Sequence, residues 1–181
     1  MKKDGIGGAN TQTGIHFENK IDLLVFLDEK VEGYSVKKAE IGHEIFYEDK
    51  IVAQSFRKHQ LYKFLESQGI DYTKYLSKKL LPDDAIYVVK ENTLFIIEVK
   101  YQQVDGSVDE KLQTCNFKLK QYKKLFSELN YEVEYIYVLS DWFKKDKYKD
   151  TLEYIIDVGC KYYFEYLPLH KIGLPVPERD K

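Results

Sequence analysis

The sequence predicts an α/β (α+β) fold in which a mixed central β-sheet is flanked by α-helices. The chain has 181 residues, enough for one domain with its own hydrophobic core. Apolar residues make up 44% and charged residues 32%, which is the balance of a globular protein. Runs of β-branched and aromatic residues alternate with stretches of helical periodicity. We find no linker and no internal repeat, so residues 1–181 are predicted to form a single domain.

The first half of the chain is predicted to contain two helices on either side of a β-hairpin. Thr13 is placed to cap a helix over residues 14–30. Residues 43–53 form two short strand-like runs around a polar turn, the pattern of a hairpin. A second helix is predicted over residues 55–68, and Gly69 is expected to end it.

The strongest strand signals of the sequence lie in its second half. Residues 85–89 and 93–100 are rich in β-branched and aromatic side chains and are joined by a short turn. Residues 108–129 carry a stripe of apolar residues at helical spacing, which predicts a helix. The remaining predicted elements are a strand over 132–140, a helix near 148–158 and a strand near 161–167.

Charge, cysteine content and hydropathy exclude several classes of protein. The chain has 28 basic and 30 acidic residues, and a net charge of −2 argues against a protein that coats nucleic acid through bulk charge. Cys115 and Cys160 lack CxxC spacing and are predicted to be buried thiols in a reducing cytoplasm. No signal peptide is apparent, and no apolar run approaches the ~18 residues of a membrane span. We therefore expect a cytoplasmic protein without a membrane partner.

Chemistry-bearing residues cluster around the two predicted strands. Pro82-Asp83 precedes the first strand, and Glu98-Val99-Lys100 ends the second after a spacer of 14 residues. Residues two apart share a face of a strand, so Glu98, Lys100 and Gln102 should point the same way. If the strands are antiparallel neighbours, Asp83 or Asp84 joins them and the carboxylates suit Mg²⁺. Only one of these two acids can share that face, because they are adjacent in the chain.

This pattern resembles the PD-(D/E)XK nuclease superfamily, and in particular a small type II restriction endonuclease with a single restriction-endonuclease-like domain. The resemblance implies Mg²⁺ as cofactor, with Mn²⁺ able to substitute. It implies Asp83, the acid directly after proline, and Glu98 as metal ligands, with Glu18 of the first helix as a third. It implies that Lys100 assists the attacking water and that Gln102 hydrogen-bonds a metal-bound water or a phosphate.

Basic and amide side chains near the motif are candidates for DNA binding. Residues 51–80 contain six basic and two acidic residues, a surplus of four positive charges. These residue types contact phosphates and read base edges, although an ordinary basic amphipathic helix gives the same pattern. The candidates are Arg57, Lys58, Gln60 and Lys63 in the predicted helix and Ser107 and Lys111 near the next one.

Two single lysines and one lysine-rich stretch have two interpretations each. Lys118 and Lys120 lie in the helix that follows the motif, and the pattern favours plain helix solvation for both. The stretch 144–149, after Trp142, contains four lysines and is either a second backbone contact or a solvated loop. The sequence favours the solvated loop.

The resemblance implies a Mg²⁺-dependent, sequence-specific endonuclease that hydrolyses phosphodiester bonds of double-stranded DNA. A homodimer is then expected, because a palindromic site with two scissile strands requires a two-fold protein. A structure-specific enzyme, such as a Holliday-junction resolvase or a repair nuclease, is the first alternative. A non-catalytic relative that binds DNA or a protein is the second, and the presence of Asp83, Glu98 and Lys100 together favours an enzyme.

Overall fold

A seven-stranded sheet forms the centre of the protein in a computed structural model that describes residues 14–16, 22–102 and 108–177. The strands lie side by side in chain order, and a separate two-stranded sheet joins the first and last strands of the described residues. The central sheet comprises β2 Tyr34–Lys38, β3 His43–Tyr47, β4 Lys50–Ser55, β5 Asp84–Val88, β6 Thr93–Lys100, β7 Glu132–Leu139 and β8 Lys161–Phe164. The small sheet pairs β1 Gly14–His16 with β9 Tyr166–Pro168.

The central sheet is mixed, and most of its strand pairs are antiparallel. Neighbouring strands from β2 to β6 run antiparallel, whereas β6, β7 and β8 are mutually parallel. The parallel pairs require crossover connections, and helices supply them. The predicted α+β architecture with a mixed, helix-flanked sheet is confirmed.

Helices cover both faces of the sheet and create two hydrophobic layers. One layer contains residues from α2, α4 and α5, and the other contains residues from α1 and the segment 167–174. Alternate residues of each central strand enter opposite layers, as the two-residue period of a strand requires. The helices are α1 Leu23–Lys30, α2 His59–Ser67, α3 Val108–Leu112, α4 Cys115–Leu125 and α5 Lys149–Asp157.

The alternation in β6 and β7 decides which face the candidate residues use. Leu94 and Ile96 of β6 pack in the layer beneath α2 and α4, together with Tyr135 and Tyr137 of β7. Phe95 and Ile97 pack in the opposite layer. The predicted alternation of the strand over 132–140 is confirmed. The apolar stripe of the helix predicted over 108–129 is buried, as expected.

The prediction of one helix over residues 14–30 is wrong. Residues 14–16 form a strand, and α1 begins only at Leu23. Asp22 is the N-cap, because its carboxylate accepts hydrogen bonds from the backbone N–H groups of Leu24 and Val25. The apolar spacing extended the predicted helix past this cap.

Other predicted boundaries shift where tertiary pairing overrides local periodicity. The helix predicted over 55–68 is α2, which starts at His59, because Ser55 pairs with Ile86 in the sheet. The helix predicted over 108–129 breaks into α3, α4 and a 3₁₀ turn, and Thr114 between the two helices donates its hydroxyl hydrogen to the carbonyl of Lys111. Strand β2 lacked a clear signal in the sequence.

The structure bears on the predictions for the two cysteines and for membrane-spanning helices. Cys115 and Cys160 are buried and free, as predicted. No helix in the described part of the chain is both long enough and apolar enough to cross a membrane.

Candidate active site at the ends of strands β5 and β6

The candidate catalytic residues lie where β5 begins and β6 ends. Glu98 is only 6% exposed and accepts contacts from two ammonium groups. Lys100 Nζ lies 2.8 Å from Glu98 Oε2. Lys118 Nζ, from α4, lies 2.7 Å from Glu98 Oε1 and 2.9 Å from Oε2. We call Asp83, Glu98, Lys100 and Lys118 the carboxylate–lysine cluster.

Asp83 belongs to this cluster through the geometry of the strand pair. Its Oδ2 accepts a hydrogen bond from the backbone N–H of Val99 at 3.1 Å, so the residue before β5 is tied to the end of β6. The side chain of Ala85, two residues on, packs in the layer beneath α4, which is the face that Glu98 uses. Asp83 is exposed, whereas Glu98 is buried. One carboxylate of the pair is therefore open to solvent.

The electrostatics of the cluster favour an ionised glutamate next to protonated tyrosines. Burial alone would raise the pKa of Glu98, but the ammonium groups of Lys100 and Lys118 outweigh it and the pKa is lowered. Burial raises the pKa of Tyr135, and the negative charge of Glu98 adds to this effect. Burial likewise raises the pKa of Tyr122, with smaller contributions from Glu98 and Asp83. Both carboxylates therefore influence one tyrosine.

The interpretation of Lys118 as a solvated helix residue is wrong. Its ammonium group reaches the carboxylate of Glu98 and also lies 6.0 Å from the centre of the Tyr135 ring. The spacing in the sequence contained a signal for this position. Lys118 comes three residues after Cys115 and four before Tyr122, both buried on the inner side of α4. Lys120, in contrast, is exposed, as predicted.

A second charged cluster occupies the opposite face of the sheet. Arg57 Nε lies 2.6 Å from Asp84 Oδ1, and the terminal nitrogens of the guanidinium bind both carboxylate oxygens of Asp22. Asp84 precedes Ile86 and Val88, whose side chains lie in the layer beneath α1. We call Asp22, Arg57 and Asp84 the arginine cluster. Of the two adjacent acids, Asp83 is thus the one on the same face as Glu98.

The arginine cluster contains two acids and one cation, which sets its ionisation. Burial raises the pKa of Asp84 to about 6, because desolvation outweighs the attraction of Arg57. The hydrogen bond with Arg57 lowers the pKa of Asp22. The same hydrogen bond raises the pKa of Arg57. These contacts tie α1, the β4–α2 connection and β5 together, which is a structural role.

The predicted DNA-binding residues within the described part of the chain have different surroundings. Arg57 is engaged by the arginine cluster rather than facing solvent on a helix. Lys58 and Lys63 are exposed, and Gln60 accepts a hydrogen bond from the backbone N–H of Arg57 through Oε1. Lys111 is exposed at the end of α3. Their contact with DNA stays a prediction.

Three other predicted site residues have different outcomes. Gln102 is buried just beyond β6, and its backbone N–H and carbonyl both bond to the hydroxyl of Ser140. Glu18 and Ser107 lie outside the described residues. The proposed third metal ligand is therefore not placed.

The donor set of the carboxylate–lysine cluster fits a hard divalent cation. Mg²⁺ takes one or two protein carboxylates and keeps several waters, so Asp83 and Glu98 suffice. One contact from Lys100 and two from Lys118 occupy three of the roughly four lone-pair positions of the Glu98 carboxylate, which leaves about one for a metal ion. Within residues 22–102 and 110–177 no group of three or more His, Cys, Asp or Glu side chains is arranged to hold a metal ion.

Comparisons with protein-family models, with curated proteins and with solved structures gave no match.

Proposed function

We propose that this chain is a Mg²⁺-dependent endonuclease that hydrolyses phosphodiester bonds of double-stranded DNA at a short sequence. The observation that carries the proposal is the carboxylate–lysine cluster. An exposed aspartate and a buried glutamate lie at one end of an antiparallel strand pair, and a lysine follows the glutamate by two residues. This arrangement matches the spacing that the PD-(D/E)XK resemblance implies for a nuclease.

Asp83 and Glu98 would hold Mg²⁺ in this proposal. When bound, the ion supplies a more acidic water and stabilises the charge that develops on the phosphate. Lys100 places a positive charge beside Glu98, where its Nζ can hold the attacking water and offset the charge of a phosphate oxygen. Lys118 approaches from α4 and fixes the orientation of the Glu98 carboxylate, so we propose it as a positioning residue.

The burial of Glu98 supports a chemical role over a solvated ion pair. Two ammonium groups at 2.7 and 2.8 Å surround one carboxylate that is 6% exposed. Burying a carboxylate together with two partly buried ammonium groups costs free energy, and an apolar cluster of the same volume is often as stable or more stable. An arrangement that is costly to maintain and lies beside an exposed second carboxylate is typical of an active site.

The direct test is incubation of the purified protein with plasmid, linear duplex and branched DNA in Mg²⁺. Wild type is expected to cut duplex DNA into discrete fragments, and EDTA should abolish cleavage. Glu98→Gln and Lys100→Met should lose activity. Lys120→Met removes an exposed lysine from the same helix as Lys118 and should cut like wild type.

The outcomes separate the alternatives. Sequencing of the fragment ends identifies the recognition site if cleavage is specific. Cleavage of branched DNA alone would replace the proposal with a structure-specific nuclease. Absence of cleavage on all three substrates, with Mg²⁺ or Mn²⁺, would overturn the catalytic proposal.

A further inference from the structure

The segment that follows β7 begins beside the carboxylate–lysine cluster. β6 and β7 are parallel, so they end at the same edge of the sheet, and Lys100 pairs with Leu139. Ser140 donates its backbone N–H to the carbonyl of Lys100 at 3.1 Å. Its hydroxyl also bonds to the backbone of Gln102. Residues 141–149 therefore leave the sheet at the point where Lys100 is located.

This segment has a defined conformation that rests on buried aromatic residues. It consists of two 3₁₀ turns, Asp141–Lys144 and Asp146–Tyr148. The rings of Phe143 and Tyr148 are buried and in contact, with centroids 5.0 Å apart. Trp142 Nε1 donates a hydrogen bond to the Tyr148 hydroxyl at 2.8 Å. The ring contact and the hydrogen bond therefore fix the conformation of the two turns.

The outer side of the same segment presents lysines. Lys144, Lys145 and Lys147 are exposed, and each ammonium group lies over an aromatic ring. Lys145 and Lys147 lie over the ring of Trp142, and Lys144 lies over the ring of Phe164. Aromatic faces attract cations and hold them near the surface. The ammonium groups are therefore held at the surface of the segment, and Lys144 Nζ also forms an ion pair with Asp141 Oδ1 at 2.6 Å.

We infer that Lys144, Lys145 and Lys147 form a binding surface for the phosphate backbone of duplex DNA beside the scissile phosphate. The inference deepens the proposed function and rests on it. A nuclease must hold a polyanion, and exposed cations beside the site can neutralise its phosphates. Phosphate contacts of this kind position the duplex without reading its sequence. We call the three residues the lysine surface.

The location of the surface favours DNA over an acidic protein partner. The segment that carries it starts at Ser140, beside Lys100, so the lysine surface and the proposed active site lie at the same end of the sheet. A binding surface for an unrelated acidic protein has no reason to lie at this edge of the sheet. DNA spans both places with one repeating charge every few ångströms.

The opposite end of the sheet provides a control with the same change in charge. Lys50 is the first residue of β4, Lys90 lies in the turn between β5 and β6, and Lys124 lies in the last turn of α4. All three are exposed. The register places β4, β5 and β6 so that these turns lie away from Lys100 and Asp83. A triple Lys→Gln variant at each end of the sheet therefore makes a matched pair.

The first measurement is the affinity for a short DNA duplex. It is determined by fluorescence anisotropy in EDTA over a range of KCl concentrations. Each phosphate contact contributes about 0.9 to the slope of log K against log salt. We expect the slope of the K144Q/K145Q/K147Q variant to fall by about 2–3 relative to wild type. The K50Q/K90Q/K124Q variant should keep the wild-type slope. Circular dichroism spectra and melting temperatures check that both variants fold.

Trp142 gives a second and local measurement. It is the single tryptophan of the chain and lies beneath two of the three lysines. DNA bound at the lysine surface should therefore quench intrinsic fluorescence in wild type and in the control variant. The lysine-surface variant should show no quenching at the same DNA concentration.

The results separate this inference from the proposed function. If wild type cleaves DNA but the lysine-surface variant keeps the full salt slope and the quenching, the surface is not the DNA contact. If DNA binds with a slope that depends on the lysine surface but no substrate is cut, the nuclease proposal fails and the binding surface stands. Binding of an acidic polypeptide such as polyglutamate, with no binding of duplex DNA, would overturn the inference.

Discussion

Asp83 and Asp84 are neighbours in the chain, yet they enter two charged clusters that differ in their chemistry. In the carboxylate–lysine cluster, buried Glu98 has two ammonium partners and its pKa is lowered. In the arginine cluster, two acids share one guanidinium, and burial raises the pKa of Asp84 to about 6.

In both clusters the pKa of the buried acid follows the balance between desolvation and the charges around it. Glu98 and Asp84 are 6% and 8% exposed, so both acids lose nearly the same share of solvation. Only Glu98 has enough positive charge around it to outweigh that loss. The first cluster therefore keeps a buried carboxylate ionised and available, and the second ties three elements of the fold together.

The largest expected effect is on cleavage, and it separates the two adjacent acids. Asp83→Asn should reduce the rate of DNA cleavage about a thousandfold, the upper end of what loss of one electrostatic group at a reacting centre costs. Asp84→Asn, on the other face, should reduce the rate much less in protein that remains folded. Single-turnover cleavage rates of the two variants test the difference. Equal losses would contradict the assignment of a catalytic role to the carboxylate–lysine cluster and a structural role to the arginine cluster.

The next effect is the pH dependence of stability that Asp84 causes. Its pKa in the folded protein, about 6, lies above its ordinary value of 3.8. The stabilising contribution is therefore fully present below about pH 4 and is lost as the pH rises through about 6. Relative to Asp84→Asn, the free energy of unfolding of wild type should fall by up to about 3 kcal/mol between pH 4 and pH 7. Denaturant titrations of both proteins across this range measure it, and a difference that does not vary with pH would contradict it.

Arg57→Met should show that the arginine cluster is structural. Removal of the guanidinium leaves Asp84 buried and without its cation, and leaves Asp22 without its partner. We expect the free energy of unfolding at pH 7 to fall by about 2 kcal/mol, less than for a fully buried pair because Asp22 is partly exposed. The affinity of the folded variant for duplex DNA should stay at the wild-type value. A stable variant that binds DNA weakly would restore Arg57 as a DNA contact.

The smallest of these effects concerns Lys118. Lys118→Met leaves Glu98 with Lys100 alone, so the carboxylate is less firmly oriented and cleavage should fall about tenfold. Lys118→Arg keeps the positive charge and should retain most of the activity. Lys120→Met is the matched control and should cut at the wild-type rate. A Lys118→Met variant with full activity would remove the positioning role.

Local patterns in the sequence were sufficient to predict those parts of the fold that depend on residues close together in the chain. The alternation of 132–140 predicted β7 and the assignment of its faces, because side-chain direction in a strand depends only on position. The short turn between residues 85–89 and 93–100 predicted a hairpin, and the register confirms the antiparallel pair, in which Asp83 lies at the end of β6. The start of α1 was misplaced, because the apolar spacing continues past the Asp22 cap.

Contacts between distant segments could not be read from the sequence. Lys118 reaches Glu98 across 20 residues, and Arg57 reaches Asp22 and Asp84 across 35 and 27 residues. Such a contact depends on how α4 packs on β6 or how α1 packs on the sheet, which no short-range period describes. A single sequence does not distinguish a lysine that faces solvent from one that binds a buried carboxylate.

The sequence by itself determined the fold class, the alternation of the strands and the residues that form the candidate catalytic motif. These properties follow from composition and from periods of two and 3.6 residues, which act over short stretches of chain. Only the tertiary structure decided the partners of each charge: two lysines for Glu98, and one arginine shared by Asp22 and Asp84. The physical reason is that burial and Coulomb attraction depend on distance in space, and packing of separate elements sets that distance.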